Sequence, residues 1–450
     1  MPRVRLPHTG DLTQAFSALR NRNYRLFWGG QLVSQAGTWM QDVALSWLVV
    51  LLTDSPIALG LTMTFRFLPA LLFSLHGGVL ADRLPKRRTL IIAQTTHLLV
   101  ALAVAVLTSA DAITVTLIYS LAAVRGLVDS IEGPARQAFV PEMVGRKDLP
   151  NAVALNSTLF NAARVAGPAI GAVVISALGG GRDAIAACFY INVVTYLAVI
   201  AALFAMRPSE LHLIPLAPRG KTMRQLREGF RYVRATPEVM VIFIVMSCIG
   251  AFGYNFQTML PLVTKWLLNA GASTLSLLTT AMGIGSVVAG LFIAYRGKGG
   301  LRLLLGSAGF FVILLVLLAL STSTAATTAV LFVAGIVGIL FMTTANTRLQ
   351  TLAPDHLRGR VMGIYILLFI GTVPIGSYVI GAMAEYVGVR ITILTMAGIC
   401  AAGVAAGSFY ALRSRKALGA EVEPDPALAV ETPEWDLTET AGLEKGAGAA

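Results

Sequence analysis

The sequence predicts an all-α membrane protein: twelve transmembrane helices in two six-helix halves, with both termini in the cytoplasm. Three observations carry that prediction. Of 450 residues, 56% are hydrophobic and only 13% charged, against roughly 25% charged in soluble domains. Apolar stretches long enough to cross a ~30 Å hydrocarbon core recur from Leu26 to Leu412. The bases are segregated: with loops numbered alternately, 28 of the 35 Lys and Arg lie in the termini and the loops on their side, whereas the opposite loops hold only Arg182, Lys265 and Arg390. That is the positive-inside pattern. It accounts for the net charge of +12, and bases spread in this way do not form the single solvated face that a nucleic-acid partner requires.

Spans are predicted at 26–52, 57–81, 89–109, 113–135, 151–178, 184–206, 238–268, 274–295, 302–320, 325–350, 361–385 and 389–412. They read as helices rather than barrel strands because backbone polar groups facing lipid must be satisfied within the segment. The first is longer than the apolar region of a cleavable signal and lacks a small-residue cleavage pattern. The expected organisation is a cytoplasmic N-terminal segment (1–25), a first half (26–206), a cytoplasmic linker (207–237), a second half (238–412) and a tail (413–450). The linker contains a basic amphipathic piece, "KTMRQLREGFRYVRA", suited to the membrane surface. From Ala417 the tail carries eight acids and one lysine, too little apolar surface to order. Cys188, Cys248 and Cys400 sit in separate spans, which suggests neither a disulfide framework nor a metal cluster.

A repeat relates the halves. Gln137, Pro141 and Glu142 in "RQAFVPEM" match Gln350, Pro354 and Asp355 in "LQTLAPDH" at a constant offset of 213, each stretch following the fourth span of its half. The same offset carries Arg83 onto Arg296, with Tyr295 where Asp82 stands in the first copy. Parallel six-helix repeats are the organisation of many secondary transporters, with the binding site at midplane between them.

The loop "GGVLADRLPKRR", Gly77 to Arg88, resembles the motif Gly-x-x-x-Asp-Arg-x-Gly-x-Arg-Arg that joins the second and third helices of the major facilitator superfamily, with Pro85 replacing the usual glycine. The stretches "ALRNRNYRLFWGGQLVSQAGTWMQ", "GPARQAFVPEMV", "NAARVAGPAIG" and "DHLRGRVMG" are similar to the drug:proton antiporter branch that includes the enterobactin and macrolide exporters. The likeness runs from about Leu19 to Leu412. It implies alternating access in a bacterial inner membrane, by a monomer exporting an amphipathic drug, macrolide-like compound or siderophore in exchange for protons. Uptake or facilitated diffusion by the same fold is the alternative, and a non-transporting sensor or scaffold a further one. The resemblance also implies a cytoplasmic gate: Gly78 and Asp82 against the eleventh helix, Asp82 pairing with Arg136, and Arg83 and Arg87 beside them. The bases of this loop are equally explained by topology alone.

Ionisable residues inside spans cost about 2.5 kcal/mol or more if unpaired, so Asp42, Arg66, Arg125, Asp129, Glu132 and Arg164 are expected to face the interior and pair. Arg125, Asp129, Glu132 and Arg136 are spaced by four, three and four and share one helix face. Asp129 and Glu132 are therefore candidates for proton coupling, against the plainer reading of a neutralised ladder along one helix. Asp42 has no basic neighbour on its own helix and is the leading proton-carrier candidate, against a satisfied structural acid. Arg66 suits a counter-ion or an anion anchor. Arg164 precedes Gly167, Pro168 and Gly171, which resemble the antiporter motif of the fifth helix and permit a bend or close packing. Tyr254, Asn255 and Gln257 in "GYNFQ" suit a partly polar substrate cavity, or ordinary interhelical bonding. His76 and His97 read as hydrogen-bonded interior histidines. "GKT" at Gly220 has Pro215 where a phosphate loop needs glycine, and no other constellation points to an enzyme, a metal or a cofactor.

Overall fold

The computed structural model describes residues 16–212, 222–296 and 299–414, apart from some side chains, those of His76, Gly78 and Asp82 among them. The acidic tail from residue 415 and linker residues 213–221 lie outside the described residues. Among the described residues the chain is nearly all helix and has no strand.

Five helices form a first group: α1 (Arg22–Thr53), α2 (Pro56–Arg83), α3 (Lys86–Ser109), α4 (Val115–Ala177) and α5 (Arg182–Phe204). After the linker helix α6 (Thr222–Ala235) come α7 (Pro237–Cys248), α8 (Phe256–Leu262), α9 (Ala272–Arg296), α10 (Leu301–Leu320), α11 (Thr324–Leu352), α12 (Asp355–Ile370), α13 (Val373–Val387) and α14 (Val389–Arg413). With α7–α8 and α12–α13 each taken as one stretch, eleven helices are long and apolar enough to cross a membrane.

The sequence places a loop between the fourth and fifth spans, and the structure differs there. α4 runs 63 residues through Pro134, Pro141, Pro150 and Pro168, broken only at Gly145 (φ 69°, ψ −179°). Glycine is the residue that enters this left-handed region without cost, so the turn falls there and not at a proline. Thr114 starts the helix, its hydroxyl accepting from the Leu117 amide at 3.3 Å, an N-cap. The predicted seventh span is discontinuous: a π-helical turn (Ile249–Gly253) follows α7, Tyr254 and Asn255 leave the helix, and α8 ends in a second π turn (Val263–Leu267). Such interruptions occur where protein or a cavity, not lipid, surrounds the backbone.

The helices up to Phe204 pack on one another, as do those from Pro237 onward, and the two groups meet chiefly along α2 against α13 and α4 against α9. Small residues allow the close crossings. A Cβ on Gly126 of α4 would strike the Arg66 carbonyl of α2, and one on Gly335 of α11 would strike the Met282 carbonyl of α9. At the end where α1 joins α2, polar contacts bridge the groups: Lys265 to Asp54 at 3.3 Å, and Glu385 accepting from the Ser55 hydroxyl at 2.7 Å and the Ile57 amide at 3.2 Å. The linker helix is tied to the second group by the Tyr232 hydroxyl, which donates to the Leu352 carbonyl at 2.7 Å, and by a Glu228–Arg360 ion pair.

Candidate functional site

Helix periodicity turns one polar stripe of each helix of the first group toward a common interior. α1 contributes Asp42, α2 Arg66, α3 Gln94 and His97, α4 the four charges from Arg125 to Arg136, and α5 Tyr196. Most of them line a polar cavity of about 240 Å3.

Two clusters make up the site. In the first, one Asp42 carboxylate oxygen lies 2.8 Å from Arg66 Nη1 and 2.6 Å from Arg125 Nη1. All three residues are buried, and in a low-dielectric interior such a triad is held by its mutual pairing. In the second, His97 Nε2 lies 2.9 Å from Glu132 and 3.3 Å from Asp129, while Gln94 donates to Glu132 at 3.0 Å. Arg136 completes this cluster at 3.7 Å from Glu132, its guanidinium stacked over the Phe160 ring. Asp129 is the open member: its side chain is 37% exposed, against 8% for Glu132 and 4% for His97. Arg66 Nε, Arg125 Nε and His97 Nδ1 are buried without a protein partner, and the cavity beside them is roomy enough for water to serve them.

Asp42 also borders a second, smaller cavity of about 50 Å3 between the two groups, with Trp39, Phe256, Gln257, Leu260 and Thr279. Through its partners Arg66 and Arg125, which line the polar cavity, Asp42 links that cavity to the apolar cleft, and Arg125 stands one helical turn from Asp129.

This geometry redistributes the expected pairs. The four charges of α4 do share a face, but Arg125 reaches across to α1 instead of down to Asp129, and Asp129 turns to α3. Spacing along one helix says which charges are neighbours, while the crossing of α1, α2 and α3 decides which one each neighbour takes. Asp42 finds its partners across helices. Sequence reasoning read His97 as a hydrogen-bonded interior histidine, without naming its partners, and passed over Gln94 and Tyr196. The signal present was the three-residue spacing of Gln94 and His97, which puts two polar side chains on one face of an apolar helix.

Other candidates take different places. Gly78 and Asp82 have side chains outside the described ones, so the Asp82–Arg136 contact does too. Arg83 is exposed. Arg87 caps the first group's last helix, its Nε 2.7 Å from the Leu203 carbonyl and a terminal nitrogen 3.1 Å from that of Phe204, a favourable place for a cation. Gly167, Pro168 and Gly171 keep helical backbone angles. Gly167 instead seats α4 on α1, where a Cβ would come within 2.6 Å of Trp39 Cβ. Asn255 is spent on the Ala251 carbonyl and on Ser377, whose hydroxyl donates to it at 3.1 Å. Tyr254 packs among Phe256, Phe311 and Phe369. Of the three residues in this stretch, Gln257 lines the cleft.

His97, Asp129 and Glu132 offer ligand atoms within 4.8 Å of one another. Those atoms already bond to each other and to Gln94, and guanidiniums of Arg125 and Arg136 line the same cavity, which opposes a divalent cation.

The family described as transmembrane secretion effector matches residues 13–437. The staphyloferrin A transporter of Staphylococcus aureus is 26% identical over 383 residues, 84% of this chain and 94% of that protein. The multidrug efflux pump Tap of Mycolicibacterium fortuitum is also 26% identical, over 81% of this chain and 90% of its own length. Among solved structures, a bacterial homolog of the human lysosomal transporter Spinster, in an inward-facing and unoccupied conformation, superposes with a TM-score of 0.69 at 14% identity over 90% of this chain and 99% of that one.

Proposed function

The chain belongs to the transmembrane secretion effector family of major facilitator permeases, a multi-pass membrane transporter and not an enzyme, and from that premise we propose that it exports amphipathic small molecules in exchange for protons. The observation that carries the reading is the pair of linked clusters: an acid–histidine group on a polar cavity, joined through Arg125 and Asp42 to an apolar cleft between the halves. The names of the relatives, a multidrug efflux pump and a siderophore transporter, support an amphipathic substrate. The proposed setting is the inner membrane of a bacterium, where the chain acts as a monomer with both termini cytoplasmic. The break at Gly145 divides α4 into two crossings, which makes twelve.

The chemistry follows from the partners. Asp42 has two guanidiniums, and giving it a proton would leave two cations facing each other without their shared counter-charge. It is therefore the charge clamp, and the proton is carried by Asp129 and Glu132, which share His97. When Asp129 is charged, Arg125 has a second carboxylate one turn away and can exchange Asp42 for it. When Asp129 takes a proton, Arg125 returns to Asp42, the pairing seen here. Substrate in the cleft meets Asp42 directly, so proton and substrate compete for the position of one arginine. That competition turns proton movement into alternating access. Contacts at the end where α1 joins α2, Lys265–Asp54 and Glu385 with Ser55 and Ile57, would close the outer side, and the gate around Asp82 would close the inner side in the opposite state.

The test is transport in proteoliposomes with an imposed pH gradient, using ethidium, a macrolide and a catecholate siderophore as probes. Efflux of at least one probe should follow the gradient and collapse when an ionophore dissipates it. Gradient-independent movement of every probe that is transported would refute proton coupling.

A further inference from the structure

The charges inside the first group do not cancel. Asp42, Asp129 and Glu132 are each paired, and their cationic partners are Arg66, Arg125 and Arg136 together with His97. Three acids against three arginines leave that network balanced with His97 neutral. Arg164 is left over. Among the described residues it has no acid partner: its guanidinium lies over the Trp39 ring at 5.3 Å, and its Nε is buried without a hydrogen bond. Its place is the boundary between the groups, since the Arg164 carbonyl abuts Gly283 of α9, where a Cβ would sit 3.3 Å away. Trp39, on which it stacks, is also a wall of the apolar cleft.

We propose that Arg164 is the anchor for a negatively charged group on the substrate, and that the cleft is built for amphipathic anions, carboxylates above all, whose apolar body lies against Trp39, Phe256 and Leu260. This rests on the reading of the cleft as the substrate site. Arg164 is half-buried and stands at the margin of the cleft, behind its Trp39 wall; a guanidinium with no carboxylate partner there gains a charge-assisted, bidentate contact when an anion arrives. Trp39 holds the guanidinium plane in place through a cation–π contact and offers its edge to an aromatic ligand. A site for lipophilic cations needs the reverse, an acid left unpaired beside apolar walls, and Asp42, the acid that borders the cleft, already holds two guanidiniums.

The experiment uses two probes with one ring system and opposite charge, 1-pyrenebutyrate and 1-pyrenebutylammonium, and measures their equilibrium binding to the purified, full-length protein by energy transfer from tryptophan. Binding is read without transport, so the result stands whether or not proton coupling is confirmed. The carboxylate should bind at least about tenfold more tightly than the ammonium, the size of one charge-assisted contact. Arg164→Gln should remove that preference, and Arg164→Lys should restore most of it. Equal binding of both probes, a preference for the ammonium, or a carboxylate affinity unchanged by Arg164→Gln would overturn the proposal. Should the glutamine variant fail to fold, the wild-type preference and the lysine variant decide.

Discussion

At the scale of single residues, which arginine holds which acid decides what the site can do. Arg125 bonds Asp42, 83 positions away, at 2.6 Å and passes over Asp129 on its own helix. A double-mutant cycle on thermal stability should therefore show coupling between Asp42→Asn and Arg125→Gln, and near-additivity between Arg125→Gln and Asp129→Asn. The opposite pattern would restore the ladder along α4. Asp42→Asn alone strips two buried guanidiniums of their carboxylate and should cost about 3–5 kcal/mol, seen as a lower melting temperature in detergent. Glu132→Gln keeps one acceptor oxygen for Gln94 and can donate its amide to an unprotonated His97 Nε2, so it should melt close to the wild type while losing the response of transport to a pH gradient. The sequence made Asp42, Asp129 and Glu132 legible as interior charges because their cost in lipid demands pairing. It left the pairs themselves illegible, because Arg66, Arg125 and His97 reach their partners across helix crossings that no spacing encodes.

At the scale of elements, close crossings position these side chains. The Arg66 carbonyl of α2 sits against Gly126, one residue beyond Arg125 on α4, so a single contact sets the distance between the two arginines that grip Asp42. Gly126→Val should separate the helices, lower the melting temperature by an amount typical of overpacking, about 1–3 kcal/mol or more, and weaken the Asp42–Arg125 coupling. An unchanged coupling energy would show that the triad tolerates a looser α2–α4 crossing. Helix identities were readable from apolar length. The continuity of α4 through four prolines was not, since proline marks a break only where its missing hydrogen bond is not offset by packing, and the turn went to Gly145 instead. The interruption at Tyr254 and Asn255 also lacked a local signal strong enough to see: Asn255 leaves the helix to bond the Ala251 carbonyl and Ser377, a partner 122 positions on.

At the scale of the whole molecule, two helical groups meet along α2–α13 and α4–α9, and the charged network lies in one of them. The repeat in the sequence pointed to two halves, and all six interior ionisable residues it singled out lie in the first. The polar bridges at the α1–α2 end are exposed, so each is worth about 1 kcal/mol or less. That suits contacts that must break in every cycle. Glu385→Ala should shift the equilibrium toward an opening at that end, measured as faster alkylation of a cysteine placed at Thr53, with unaltered labelling counting against a gate there. The central claim is that protons are carried by Asp129 and Glu132 around His97. It is tested most directly by counting protons: in sealed proteoliposomes, with a probe the wild type transports, the internal pH should change in step with probe efflux. The variant carrying Asp129→Asn and Glu132→Gln should still pass the probe down its own gradient while moving no protons. Proton movement in that variant at the wild-type ratio to probe would contradict the account.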